Sequence, residues 1–251
     1  SAAEAVSRAA VYGGTTTVLD FATQVQGHDL HHAMGEAAER WRGNAYTDYS
    51  YHPIFANGAR PEDIAQIPEL VEDGFPSFKI FTTSIRPPSP QMQNRHTDFG
   101  RLAAIMDQIV GKGGMLMVHS EDDEMVHYNY SMASEKGLWD WWNMHLIHTN
   151  VSEDVSFRRV IRLADTSGTA IYFVHISAKE GVAAVAEARG RGQPVYGETL
   201  HNYACFNAEN YREPDGMKYH TYPSLKSEED RQSLWAGLID GRLSTVATDV
   251  V

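Results

Sequence analysis

Short runs of apolar and β-branched residues recur along the chain, each followed by a longer stretch in which apolar positions return every three or four residues. That alternation predicts parallel βα units rather than a sandwich. The pattern places strands at TTTVLDF (15–21), YTDYSYH (46–52), SFKIF (77–81), MLMVHS (115–120), IYFVHIS (171–177), VYGETL (195–200) and STVATD (244–249). Between them, DLHHAMGEAAERWRG, PEDIAQIPELVEDG, DFGRLAAIMDQIVGKGG, SFRRVIRLADTSG and AKEGVAAVAEARGRG carry helical spacing, and several end in the Gly expected at a C-cap. The predicted class is α/β, a (β/α)8 barrel present in about seven of its eight strands. The chain opens on a helix pattern, SAAEAVSRAAVYGG, so the strand before it is expected to be missing. The last strand stops at Asp249, Val250 and Val251 with no helix after it, so truncation is expected at that end too. A doubly wound open sheet is the alternative, but no GxGxxG or Walker-type loop follows any strand.

Length and composition narrow this further. The 251 residues match one β/α barrel, and no Pro- or Ser-rich linker divides them, so residues 1–251 are read as one domain. With 42% hydrophobic and 22% charged residues the chain is too apolar for disorder. Apolar runs such as MLMV end far short of the ~20 residues that a bilayer crossing needs, so no membrane partner is expected. The N-terminal stretch lacks the apolar core of a secretory signal. One cysteine, Cys205, excludes an internal disulfide and suits the cytoplasm. A formal net charge of −12 argues against a nucleic-acid partner, because phosphate binding needs clustered Lys and Arg.

Candidate chemistry gathers at strand ends, which form the active face of a β/α barrel. Lys79 sits in SFKIF, His119 ends MLMVH, His175 lies in IYFVHIS and Asp249 ends TVATD. Each has a bland reading alone: a histidine beside an apolar strand is more often a hydrogen-bonded core residue than a ligand. Lys79 is harder to dismiss, since burying an unpaired ammonium is costly. Either its stem is buried and its amine reaches the rim, or the amine is modified to an anionic ligand. Together the four predict a divalent metal site, with zinc suited to two imidazoles and a carboxylate, and metal-assisted hydrolysis as the reaction class. Asp249 is then the candidate general base and acid. The acidic run Glu121 to Glu124 reads as a helix N-terminus. Trp139, Trp141 and Trp142 read as helix packing or an interface, with a substrate entrance as the alternative. The remaining histidines read as surface or supporting residues.

In order, GGTTTVLDF, SFKIF, VHSED, VHISAKEG, YGET, YPSLK and VATD resemble the dihydropyrimidinases, hydantoinases and related cyclic amidohydrolases. The resemblance spans essentially the whole chain and implies a TIM barrel of the metal-dependent hydrolase type. It implies a carbamylated Lys79 bridging two divalent ions, His119 and His175 holding one of them, and Asp249 as ligand and proton shuttle. It also implies a cyclic amide substrate opened to an N-carbamoyl amino acid, substrate contact near Tyr222, and a homotetramer. Three departures stand out. No HxH pair precedes Ala2, Ser84 stands where the family has a tyrosine, and Tyr222 stands where it has a serine before the proline. Dihydroorotase or allantoinase chemistry is the enzymatic alternative; a non-catalytic scaffold or an inert fragment is the other.

Overall fold

The computed structural model describes residues 1–25, 27–56, 59–85 and 96–249; Val250 and Val251 lie outside the described residues. Seven strands form one parallel sheet in chain order: β1 (Thr17–Thr23), β2 (Asp48–Ile54), β3 (Ser77–Phe81), β4 (Met115–His119), β5 (Ala170–Phe173), β6 (Val195–Leu200) and β7 (Thr245–Ala247). Each strand pairs with the next, and β1 and β7 are the two outer strands. The sheet is therefore an incomplete barrel, as expected from the seven apolar runs. Helices fill the crossovers: α1 (Ala2–Tyr12), α2 (Leu30–Trp41), α3 (Pro61–Ile64), α4 (Ile67–Glu72), α5 (Phe99–Ile109), α6 (Asp123–Glu135), α7 (Met144–Ile147), α8 (Asn150–Ser167), α9 (Lys179–Gly190), α10 (His201–Cys205) and α11 (Glu228–Ile239).

The two-residue period of a strand sorts the core. Phe78 and Ile80 of β3, Leu116 and Val118 of β4, and Ile171 and Phe173 of β5 point outward and are wholly buried. Phe173 stacks on Phe157 of α8, with ring centroids 3.9 Å apart. The opposite face carries Lys79, Met117 and Tyr172, which are aligned across β3, β4 and β5. These strands therefore turn their most apolar face to the helices and leave the inner face for chemistry.

Several boundaries differ from the sequence pattern, each for a local reason. β1 begins at Thr17 because the Thr15 amide is still bonded to the Ala10 carbonyl at the end of α1. β2 shifts with it, in register from Thr17 opposite Asp48. The segment predicted as one helix over PEDIAQIPELVEDG splits into α3 and α4, because Pro68 has no N–H to continue the first. β5 stops at Phe173, two residues before His175 takes up a left-handed φ of 43°, and β7 stops at Ala247 before Asp249 at φ 48°. The tryptophans do not lie on an α-helix: Trp141 and Trp142 form a short 3-10 turn.

Candidate active site

Lys79 projects from the inner face of β3 and is only 3% exposed. Its Nζ lies 4.8 Å from the Phe81 ring centroid and 6.0 Å from that of Phe21. Aromatic faces stabilise a cation by about 1 kcal/mol. The ammonium's field reaches across the site. Burial first, and Lys79 after it, depress the His52 pKa to about 4, and the same two influences help depress His119 and hold His175 well below the usual imidazole range.

The two strand-end histidines meet. His119 Nδ1 lies 2.9 Å from His175 Nε2, with ring centroids 4.5 Å apart in an edge-on arrangement, and both side chains are buried. Left-handed backbone at His175 ends the β5 ladder and turns that ring toward β4. His119 Nε2 lies 2.9 Å from Glu121 Oε2, and the other carboxylate oxygen lies 2.8 Å from His148 Nδ1. Burial works to raise the Glu121 pKa, but the charge of His148 and the hydrogen bonds from His119 and His148 outweigh it and hold the group well below its ordinary value. An ionised Glu121 fixes the proton of His119 on Nε2 and leaves the Nδ1 lone pair facing His175.

On the neighbouring side, Glu198 of β6 accepts the Tyr172 hydroxyl at 2.7 Å and the His175 amide at 3.3 Å. Burial raises its pKa, and Asp249 adds to the rise. Asp249 follows the end of β7, the strand that pairs with Glu198's strand β6. Tyr222 precedes Pro223 through a cis peptide bond, and its ring packs against His148 and His220 at centroid distances of 5.2 and 4.5 Å. Ser84 is nearly buried, and its amide donates to Asp123 Oδ1 at 2.8 Å.

The chemistry of the donor set decides whether a divalent ion fits. Two nitrogens sharing a tetrahedral zinc at ~2.0–2.1 Å stand about 3.3 Å apart, close to the separation of the His119 and His175 nitrogens. His119 is backed by a carboxylate, as metal-ligating imidazoles usually are, which leaves its Nδ1 free to face an ion. On these grounds the histidine pair fits such an ion. Among the described residues, however, no three His, Cys, Asp or Glu side chains form a metal-holding group, so Asp249 is not gathered with the two imidazoles.

Three residues to which the sequence pattern assigned no part in the site shape it. Glu121 is not a helix-end carboxylate: Asp122 caps α6, while Glu121 is turned inward between His119 and His148. Its place two residues after a strand-end histidine was the available signal. Glu153 of α8 accepts the Ser177 hydroxyl at 2.5 Å and the Ala178 amide at 3.0 Å, just after His175. Buried Lys226 donates to the His148 carbonyl. Glu153 has no motif to betray it, and Lys226 closes the YPSLK motif without showing there that its partner is the distant His148.

No family model matches the chain. A D-hydantoinase of Streptomyces coelicolor is 34% identical over 248 residues, 98% of this chain and 51% of that protein. A D-hydantoinase of Geobacillus stearothermophilus is 29% identical, covering 96% of this chain and 50% of its own. The structure of a dihydropyrimidinase from Brevibacillus agri superposes with a TM-score of 0.91 at 28% identity, over 98% of this chain and 52% of that one. The chain thus spans about half the length of the curated relatives it matches.

Proposed function

Because this chain belongs, over the half of the fold that it spans, to the hydantoinase and dihydropyrimidinase family, we propose that the protein hydrolyses a ring C–N amide bond in a hydantoin or dihydropyrimidine. Water adds across that bond: its oxygen goes to the carbonyl carbon, a proton goes to the leaving nitrogen, and an N-carbamoyl amino acid results. The observation that carries the reading is the buried pair His119 and His175, nitrogens 2.9 Å apart, beside buried Lys79. Asp249, which stands apart from the pair in this structure, would have to move in to complete with them the set that would hold two divalent ions, zinc being the best match to imidazole donors. When bound, these ions supply a water of lowered pKa. Lys79 serves as a carbamate, formed when its neutral amine adds to CO2 and loses a proton; an ammonium has no lone pair for a metal. Asp249 moves the proton to the leaving nitrogen. Tyr222 contributes to ring binding.

We read the chain as one barrel domain of a cytoplasmic homotetramer. A main core cluster running from Ala3 to Leu243 beside a small one at Val126, Ala133 and Ile147, a single exposed cysteine and exposed Trp139 and Trp142 support this, and among the described residues no helix is long and apolar enough to cross a membrane. Dihydroorotase or allantoinase chemistry is the second reading, favoured by Ser84, which offers no phenol at the position where the family has a tyrosine.

The test is metal analysis and turnover of hydantoin, dihydrouracil, dihydroorotate and allantoin by wild type, Lys79→Ala and Lys79→Arg in the intact protein. Wild type is expected to open hydantoin or dihydrouracil. Both variants are expected to lose activity by at least about 100-fold and to be depleted of metal, because a guanidinium stays cationic. Full metal and activity in Lys79→Ala sinks the bridge assignment; turnover confined to dihydroorotate or allantoin moves the protein to the second reading.

A further inference from the structure

Three segments that follow strands of the site lean on one helix. α8 carries Ser152, Glu153 and Ser156 in its first two turns, and all three are buried. A serine inside a helix often turns its hydroxyl back on a carbonyl of the preceding turn. Here both hydroxyls go to other segments. Ser152 Oγ accepts the Asp122 amide at 2.9 Å, in the segment after His119, and Glu153 accepts the Ala178 amide at 3.0 Å, in the turn after His175. Ser156 Oγ lies 2.9 Å from Thr82 Oγ1, in the segment after Lys79, and 2.8 Å from Ser120 Oγ, beside His119.

Counting protons fixes the direction of this hydroxyl chain. Thr82 has one hydroxyl proton, and it is directed to the Glu121 carbonyl at 2.7 Å, with the His119 carbonyl at 3.2 Å. Ser156 therefore donates to Thr82, and Ser120 donates to Ser156. The Glu121 amide donates to the remaining lone pair of Thr82 at 3.0 Å. The Thr82 hydroxyl is then saturated and grips both backbone groups of Glu121, while the Thr82 amide donates to the His119 carbonyl at 3.0 Å. Ser120, Ser156 and Thr82 are all buried, so removing one hydroxyl strands a donor or an acceptor away from water.

We infer that Ser156 is a positioning residue: through Thr82 and Ser120 it locks the segment after Lys79 to the segment after His119, on the helix that also holds the turn after His175, so that α8 sets the spacing of the three site residues. Its consequence for metal rests on the function proposed above; its consequence for local order does not. A hydroxyl that only fills space can be exchanged for a methyl group, whereas one that relays hydrogen bonds cannot. Thr82→Val keeps the volume and removes the bonds; Thr82→Ser keeps the bonds and loses a methyl group. The two roles rank these variants in opposite order. Because Ser156 and Thr82 belong to one chain of bonds, breaking it twice does little more harm than breaking it once.

The test compares wild type with Ser156→Ala, Thr82→Val, the two combined, and Thr82→Ser in the intact protein, and takes Thr169→Val as the control. Thr169 is an equally buried hydroxyl just before β5, donating to the Met106 carbonyl at 3.0 Å. Amide hydrogen exchange without added metal is expected to quicken at least about tenfold at positions 82 and 121 in Ser156→Ala and in Thr82→Val, with Val118 of β4 unchanged. Zinc affinity, read by competition with a chromophoric chelator, is expected to fall about 10–100-fold in both and little further in the combined variant. Thr82→Ser and Thr169→Val are expected to stay within about threefold of wild type. Unchanged exchange at the two amides in Ser156→Ala overturns the inference, as do additive losses of affinity, or a loss in Thr82→Ser or Thr169→Val as large as that in Thr82→Val. Should Thr82→Val fail to fold, Ser156→Ala, which removes a single oxygen, decides by its exchange and by its affinity against Thr169→Val. A wild type that binds no divalent ion overturns the proposed function and leaves the exchange result to decide the role of Ser156.

Discussion

Two buried titratable side chains bend the stability of the fold in opposite directions as pH changes. His52, bonded through Nδ1 to the Ser77 hydroxyl at 2.6 Å, is pushed down to about 4 by burial and by Lys79. The unfolded chain takes up this proton near pH 6.5 and the folded chain only near 4. The stability held by neutral His52 is therefore present above pH 6.5 and lost as pH falls toward 4, by up to about 3 kcal/mol. Burial raises Glu153 to about 7, against the pull of Lys226 and the Ser177 hydroxyl. Its fold keeps a proton that the unfolded chain releases near 4.5, so stability falls as pH rises from 4.5 to 7, again by up to about 3 kcal/mol. His119 and His175, lowered like His52, add to the climb, so the wild-type unfolding free energy should rise with pH between 4.5 and 6.5. In urea titrations, His52→Asn should make that rise shallower and Glu153→Gln should make it steeper; parallel profiles for all three proteins would contradict both assignments. Of these residues the sequence declared Lys79, His119 and His175 by their places in apolar strands. It was silent on Glu153 and gave Lys226, the end of YPSLK, no role, because a buried charge on a helix or loop looks like any surface charge until its partner is known.

At the scale of elements, the βα alternation was legible, since strand and helix periods depend on near neighbours. Where strands end was less so: IYFVHIS reads as unbroken β, yet the ladder stops at Phe173 because His175 adopts a left-handed backbone that apolar patterning does not encode. Close packing of elements was also invisible. At Gly181 an added Cβ would meet Glu153 Oε1 at 2.6 Å, Ile176 Cγ2 at 2.8 Å and Phe157 Cε2 at 3.2 Å. Helix propensity alone would make Gly181→Ala stabilising by up to ~1 kcal/mol. Contact with fixed, buried groups should reverse the sign, giving a net loss of about 1–3 kcal/mol. Thermal unfolding decides between them, and a raised melting temperature would show that α9 can shift away from α8 at no cost.

On the scale of the whole molecule, the sheet leaves apolar surface at its outer strands. Leu19 of β1 is 54% exposed and Val246 of β7 is 51% exposed, each on a strand with one paired neighbour. Such edges template association. Leu19→Lys should lower light scattering of the concentrated chain relative to wild type, and an equal or greater signal would remove β1 as the route. The net charge of −12 opposes association only at ionic strengths low enough for charges to act over the distance between molecules. The strand order has a further consequence, for synthesis rather than for stability. Because every strand pairs with the one that follows it in the chain, each new strand leaving the ribosome finds its partner already present. The sheet can grow in the direction of translation, and the half of the site contributed by Lys79 and His119 exists before the segment carrying Lys226 has been made.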